Sequence, residues 1–275
     1  MSTEPPLPPD LRALFADHAD HDGRSLSVPL PPGRAKASEE EEDSDRPALW
    51  LSDGPAPEGL WARLRAEHAR SGLWPLLLDA LDDQAEDYRP WGSGEFVPGE
   101  MSSPDEHDPA ALLADWWAQY AEPAEPTTAP FGARWPGLAP APDEVGEPDA
   151  VADGLAEHLL SEHRSMRLGL VATDRGADAL TNVGWFGPAN YTNDTAEISA
   201  VLRSWEDRFG ARVVGVGFST LLLSVAAPPT TPEAALAVAA EHFAFCPDNV
   251  WQGVSPLTAY AERLVGDHSW SFWWD

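Results

Sequence analysis

Proline narrows what this chain can form more than any other residue, because it has no backbone N–H and its φ is locked near about −65°, which keeps it out of helix interiors and central strands. Twenty-two of the 28 prolines lie in residues 1–150 and six in residues 151–275. The first half therefore has to be rich in loops, and long regular elements have room only in the second. Charge divides the same way: residues 1–150 carry 31 Asp and Glu against 10 Lys and Arg, and residues 151–275 carry 15 against 7. The formal charge of −29 over 275 residues excludes a nucleic-acid partner, which needs a basic face. The chain is 43% hydrophobic and has 13 tryptophans, which is enough apolar surface for a buried core. Its single cysteine, Cys246, can form neither an internal disulfide nor a multi-thiolate metal site, and this suits a reducing cytoplasm. No run of about 18 apolar residues occurs, and MSTEPPLPPD lacks the basic and apolar parts of a signal peptide. The expectation is a soluble cytoplasmic protein without a membrane partner.

Three regions are expected. Residues 1–121 form an irregular α+β region, interrupted by the acidic run EEEEDSD at 39–45, whose like charges stay solvated. Short strands are expected at 25–30 and 48–51, a helix at 58–70 on Leu60, Trp61 and Leu64, and a second helix capped by Asp108 and Pro109. The run LWPLLLDAL at 73–81 has buried-strand character, with Pro75 confining it to a strand start or an edge. Residues 122–149 hold seven prolines and form a connector, tethered through Phe131 and Trp135. Residues 150–275 form the C-terminal domain. There MRLGLVAT (166–173) alternates as a strand does, and Asp194 with Glu197 makes a capping box for a helix on Ile198, Val201, Leu202, Trp205 and Phe209, closed by Gly210. Strands at 212–218 and 221–226 form a hairpin, Thr231 and Pro232 open a helix that Pro247 ends, a short helix covers 256–265, and residues 269–274 are a last strand. The order β-α-β-β-α-(α)-β predicts an α+β fold: a split β-α-β, ferredoxin-like sandwich with helices on one sheet face, packed with the smaller N-terminal region.

The strings GWFGPANYTNDTAEISAVLRSWEDRFGARVVGVGFSTLLLSV (184–225), FCPDNVWQG (245–253) and WSFWWD (270–275) resemble a bacterial family catalogued as domain of unknown function 4253, over roughly residues 165–275. Upstream, LPPGR (30–34), ALWLSD (48–53), GLWPLLLDAL (72–81) and RPWGSGE (89–95) resemble the N-terminal part of actinobacterial members. The resemblance implies a bacterial, actinobacterial source, and it brings no activity, cofactor or catalytic residue.

Chemistry has to come from side chains. His242 and Cys246 stand four apart on one helix face, but the cysteine is at the helix C-terminus, where the dipole disfavours a thiolate. They read as core residues. Adding Asp248 gives H-x3-C-x-D, too few ligands for a convincing metal site. His18, His21 and Asp22, and His158 with His163, read as surface residues, as do the acidic pairs Asp82-Asp83 and Glu206-Asp207. No phosphate-binding loop occurs. Gly215 and Gly217 alternate with Val214, Val216 and Phe218, leaving one smooth strand face for close helix packing. No catalytic set, metal site or cofactor is predicted.

The tryptophans carry the most functional information. In the last strand Trp270, Phe272 and Trp274 point one way and Ser271, Trp273 and Asp275 the other. Two loops mix indoles with amides and acid: Trp185, Asn190, Tyr191 and Asn193 on one, Asp248, Asn249, Trp251 and Gln252 on the other. Such loops combine flat apolar area with directional hydrogen bonds; the plainer reading has the indoles roofing the core and the amides making Asx-turns and helix caps. The candidate binding residues are Trp185, Asn190, Asp248, Trp251, Gln252, Trp273 and Asp275, at a surface where the two loops and the strand end converge. The function expected is a non-enzymatic interaction module, an acidic immunity-type partner of a basic protein. The alternative is a small-molecule enzyme or ligand sensor using Asp248 as acid or base.

Overall fold

All six side chains of the strand Leu73–Leu78 are buried, which a strand achieves only inside a sheet covered on both faces. The computed structural model describes residues 6–15, 23–39, 46–82, 87–121 and 126–275. His18, His21, Asp22, residues 40–45 of the acidic run, Asp83 and the start of the connector lie outside the described residues. Seven strands are described: β1 Gly33–Ala37, β2 Pro47–Pro55, β3 Leu73–Leu78, β4 Arg167–Ala172, β5 Ala211–Val216, β6 Thr220–Val225 and β7 Ser269–Trp273. They form one sheet in the order β1-β2-β4-β3-β5-β6-β7. The β3–β5 pair is parallel and the other pairs are antiparallel.

The α+β class holds, and the ferredoxin-like arrangement does not form. β3, from the first half of the chain, lies between β4 and β5, so the four C-terminal strands are not contiguous. Nor is β3 an edge strand. Pro75 pairs with Leu170 of β4, while pairing to β5 begins only at Leu77 opposite Gly215. In that register Val213 faces Pro75, which has no N–H to offer. Its carbonyl accepts instead from the Trp74 indole Nε1 at 2.9 Å, so the imino acid is tolerated in a central strand.

The longer helices are α1 Leu60–Ala66, α2 Pro109–Tyr120, α3 Pro148–Glu162, α4 Thr195–Phe209, α5 Pro232–Phe245 and α6 Leu257–Leu264; α1, α3 and α4 lie on strands, whereas α2 packs on α4 and α5, and α6 packs on α5. α3 was not expected, because its buried face is built from Ala152, Ala156, Leu159 and Leu160 and gives little apolar periodicity. It lies on the smooth face of β5: a Cβ on Gly215 would sit 3.5 Å from Leu159 Cδ1 and 3.0 Å from Leu222. On the opposite face, α4 sets Trp205 against Trp270 and Phe272 of β7, with centroids 5.5 and 5.3 Å apart. Residues 25–30 are not a strand, Ser25 making only an isolated bridge to Pro6, and β1 follows them instead. The helix expected at 58–70 breaks after α1 into a separate turn, His68–Ser71. Phe131 and Trp135 anchor the connector on Trp117, at 6.2 and 5.6 Å. Among the described residues no helix is long and apolar enough to cross a membrane.

Candidate functional site

The end of α5 begins the site. Pro247 cannot continue the helical hydrogen bonding, and the chain passes into a wide turn, Asn249–Gly253. That turn seals the outer edge of β7. Asn249 Nδ2 donates to the Ser271 carbonyl at 2.7 Å, and its Oδ1 accepts from Trp273 N at 3.3 Å. One side-chain amide thus takes the place of a neighbouring strand's peptide, which satisfies an edge that would otherwise invite pairing. The Cys246 thiol donates to the Trp273 carbonyl at 3.0 Å.

Asp248 joins the two loops to the strand end. It is 2% exposed. Its Oδ2 accepts from the Tyr191 hydroxyl at 2.7 Å and from Asp275 N at 3.1 Å, and its Oδ1 accepts from Gln252 Nε2 at 3.0 Å. Asn190 Nδ2 donates to the main-chain oxygen of Asp275 at 2.6 Å, and Gln252 Nε2 reaches Asp275 Oδ2 at 3.2 Å. The three segments therefore meet. A carboxylate this buried, with both oxygens engaged, holds the two loops and the strand end together.

The predicted site residues divide by burial. Trp185 is 1% exposed, donates Nε1 to the Gly217 carbonyl at 3.0 Å and packs on Trp274 at 5.6 Å; it belongs to the core. Trp251 and Trp273 are 45% and 39% exposed, and Gln252 and Asp275 are exposed beside them. Trp270, Phe272 and Trp274 are buried, as the alternation of β7 requires. Two aromatic residues at this surface were not singled out. Phe186 is 43% exposed, and Tyr120, from the last turn of α2, packs on Tyr191 and Trp251. The first follows an indole whose burial only the fold shows; the second comes from a distant helix.

His242 and Cys246 do not pair through their side chains. His242 Nδ1 lies 3.0 Å from the Tyr260 hydroxyl, and its ring is enclosed by Trp205, Trp270, Phe272 and Tyr260. Burial pushes the imidazole down to about 3 and, as the leading cause, pushes the thiol up to about 12. Both are neutral core groups at ordinary pH. Among the described residues no group of three or more His, Cys, Asp or Glu is arranged to hold a metal ion.

A cleft of about 490 Å³ lies elsewhere, between one face of α4 and residues 104–109, lined in part by Arg175, Arg203 and Arg208. Each of these arginines is held by carboxylates: Arg175 by Glu206 and Asp207, Arg203 by Asp178 and Asp105, Arg208 by Glu241. Their charge is compensated in place.

No curated protein matches the chain, and no solved structure does. Residues 167–275, which run from β4 to the end of β7 and include both loops and the Asp248 junction, match the model of the family described as Domain of unknown function (DUF4253), the family that the C-terminal strings resemble.

Proposed function

We propose that this protein is a non-enzymatic interaction module, gripping a basic protein partner at the surface where residues 184–193 and 248–253 meet the end of β7. One observation carries the reading: Phe186, Trp251 and Trp273, at 43%, 45% and 39% exposure, all lie on the three segments that meet. Exposed aromatic rings fixed on a rigid base are the side chains that dominate protein interfaces, ringed by polar groups that exclude water. Asn190, Gln252 and Asp275 supply that rim. The charge of −29 steers cationic surfaces toward the molecule, as in an acidic immunity-type protein that neutralises a basic one. The burial of Asp248 favours binding over reaction.

The test compares capture from a lysate of the source organism by the natural protein and by the triple variant Phe186→Ser, Trp251→Ala, Trp273→Ala. Basic proteins held by the first and lost by the second are the expected result. An identical captured set would refute the proposal.

A further inference from the structure

Within this surface, and resting on its reading as a protein-binding face, three rings form a corner. Tyr120 stands edge-to-face against Tyr191, with centroids 5.8 Å apart at 81°, and against Trp251, at 5.9 Å and 80°. Trp251 also meets Phe243 at 5.6 Å, yet 45% of it remains exposed, so part of its indole surface is open.

The corner is backed by negative charge. Tyr191 donates its hydroxyl to the Asp248 carboxylate at 2.7 Å, which makes its ring more electron-rich. Burial first, then the Glu197 and Asp248 carboxylates, push the Tyr120 hydroxyl up from its ordinary value, a sign of negative potential at this ring. At the rim, Asp275 is exposed and is tied to Gln252, the residue after Trp251, at 3.2 Å. Among the described residues, arginines stack on Phe15, Phe218, Tyr88 and Phe209, all outside this corner. Among the described residues, then, no arginine of the chain is stacked on these rings.

We infer that the corner receives an arginine side chain of the partner, its guanidinium lying on the Trp251 indole and pairing with the Asp275 carboxylate. A cation over an aromatic face is drawn to the ring quadrupole, most strongly over an indole. Guanidinium suits this place better than ammonium, because it is planar, weakly hydrated and able to stack while its N–H fork still meets a carboxylate. An apolar side chain would cover the indole and leave Asp275 uncompensated.

The experiment uses the full chain labelled with 5-fluorotryptophan, the Trp251 resonance being assigned by its absence in Trp251→Phe. The titrant is the acetylated, amidated peptide Gly-Arg-Gly-Arg-Gly, compared with its citrulline counterpart, which keeps the shape and loses the charge. The arginine peptide is expected to shift the Trp251 resonance saturably, the citrulline peptide to bind about tenfold more weakly, and Asp275→Asn to weaken the arginine peptide by about the same factor. Leu81→Ala, an exposed apolar residue elsewhere on the molecule, should change nothing. Equal binding of the two peptides, or an unmoved Trp251 resonance, overturns the inference. Either result leaves the aromatic face to be judged by the capture experiment. If the triple variant instead captures the same proteins while Trp251 still titrates with arginine, the protein-binding reading fails and the cation corner stands.

Discussion

Asp248 and His242 are polar residues whose meaning depends on burial. Asp248 accepts three hydrogen bonds at 2.7, 3.0 and 3.1 Å while 2% exposed. Asn in its place would turn an N–H₂ toward donors, leaving a buried group unsatisfied. Asp248→Asn is expected to lower stability by about 1–3 kcal/mol, read as a lower urea midpoint with an unchanged slope; a shift under about 0.5 kcal/mol would mean that the junction is held by other contacts. This exceeds what a loop carboxylate suggests from sequence, because nothing local to Cys-Pro-Asp-Asn shows that Tyr191 and Asp275 will close over it. His242 was legible as a core residue from its place on α5. In the fold, burial pushes it to about 3, below the value of about 6.5 in an unfolded chain. The unfolded state therefore takes up the proton first, so the stability tied to neutral His242 is complete above about pH 6.5 and is lost as pH falls toward 3. His242→Phe should reduce the slope of unfolding free energy against pH in that window by up to about 1.4 kcal/mol per pH unit. Urea titrations at several pH values measure it, and parallel slopes for the two proteins would contradict it. His68, also lowered chiefly by burial, keeps some slope in either case.

At the scale of elements, α4 shows how far local pattern reaches. Asp194 caps it, accepting from Ala196 N at 3.0 Å, and Gly210 ends it at φ 62°, a left-handed conformation that glycine adopts without strain. The capping box closes through an intermediary. Asp194 N donates to the Thr192 hydroxyl at 3.1 Å, and that hydroxyl donates to Glu197 Oε2 at 2.8 Å. The stripe Ile198, Val201, Leu202, Trp205 and Phe209 is buried as its spacing predicts. What lies beneath the stripe was not legible. Fully buried Glu241 accepts from Trp205 Nε1 at 2.7 Å, from Arg208 at 2.8 and 2.6 Å and from Ala139 N at 2.6 Å. These partners stand 36, 33 and 102 residues away in sequence, beyond any local motif. Trp205→Ala would open a cavity among Trp270, Phe272 and Phe245 and remove a donor from a buried carboxylate. The expected loss is about 3–5 kcal/mol. An unchanged denaturation midpoint would refute the packing of α4 on β7.

Across the whole molecule, β3 decides the architecture. Its six buried side chains join β4, on which it pairs along its full length, to β5, on which it pairs at Leu77 and Leu78. A fragment of residues 150–275 would expose the β4 and β5 edges that β3 covers, together with apolar surface on both faces of the gap. It is expected to lack a cooperative thermal transition and dispersed amide resonances, whereas the full chain shows both; a fragment with a sharp transition would mean that its four strands close on each other without β3. The sequence by itself determined what depends on neighbours in the chain: caps, the alternation of β7, the smooth face of β5, the buried thiol at a helix end and the mixed aromatic and amide composition of two loops. These follow from short-range sterics and from the fixed periods of helix and strand. Only the tertiary structure decided the strand order, the indole that lets a proline into a central strand, and which site residues are core and which are surface. Those outcomes depend on which distant segments bury each other's faces, and a one-dimensional pattern shows that a face must be buried without naming what covers it.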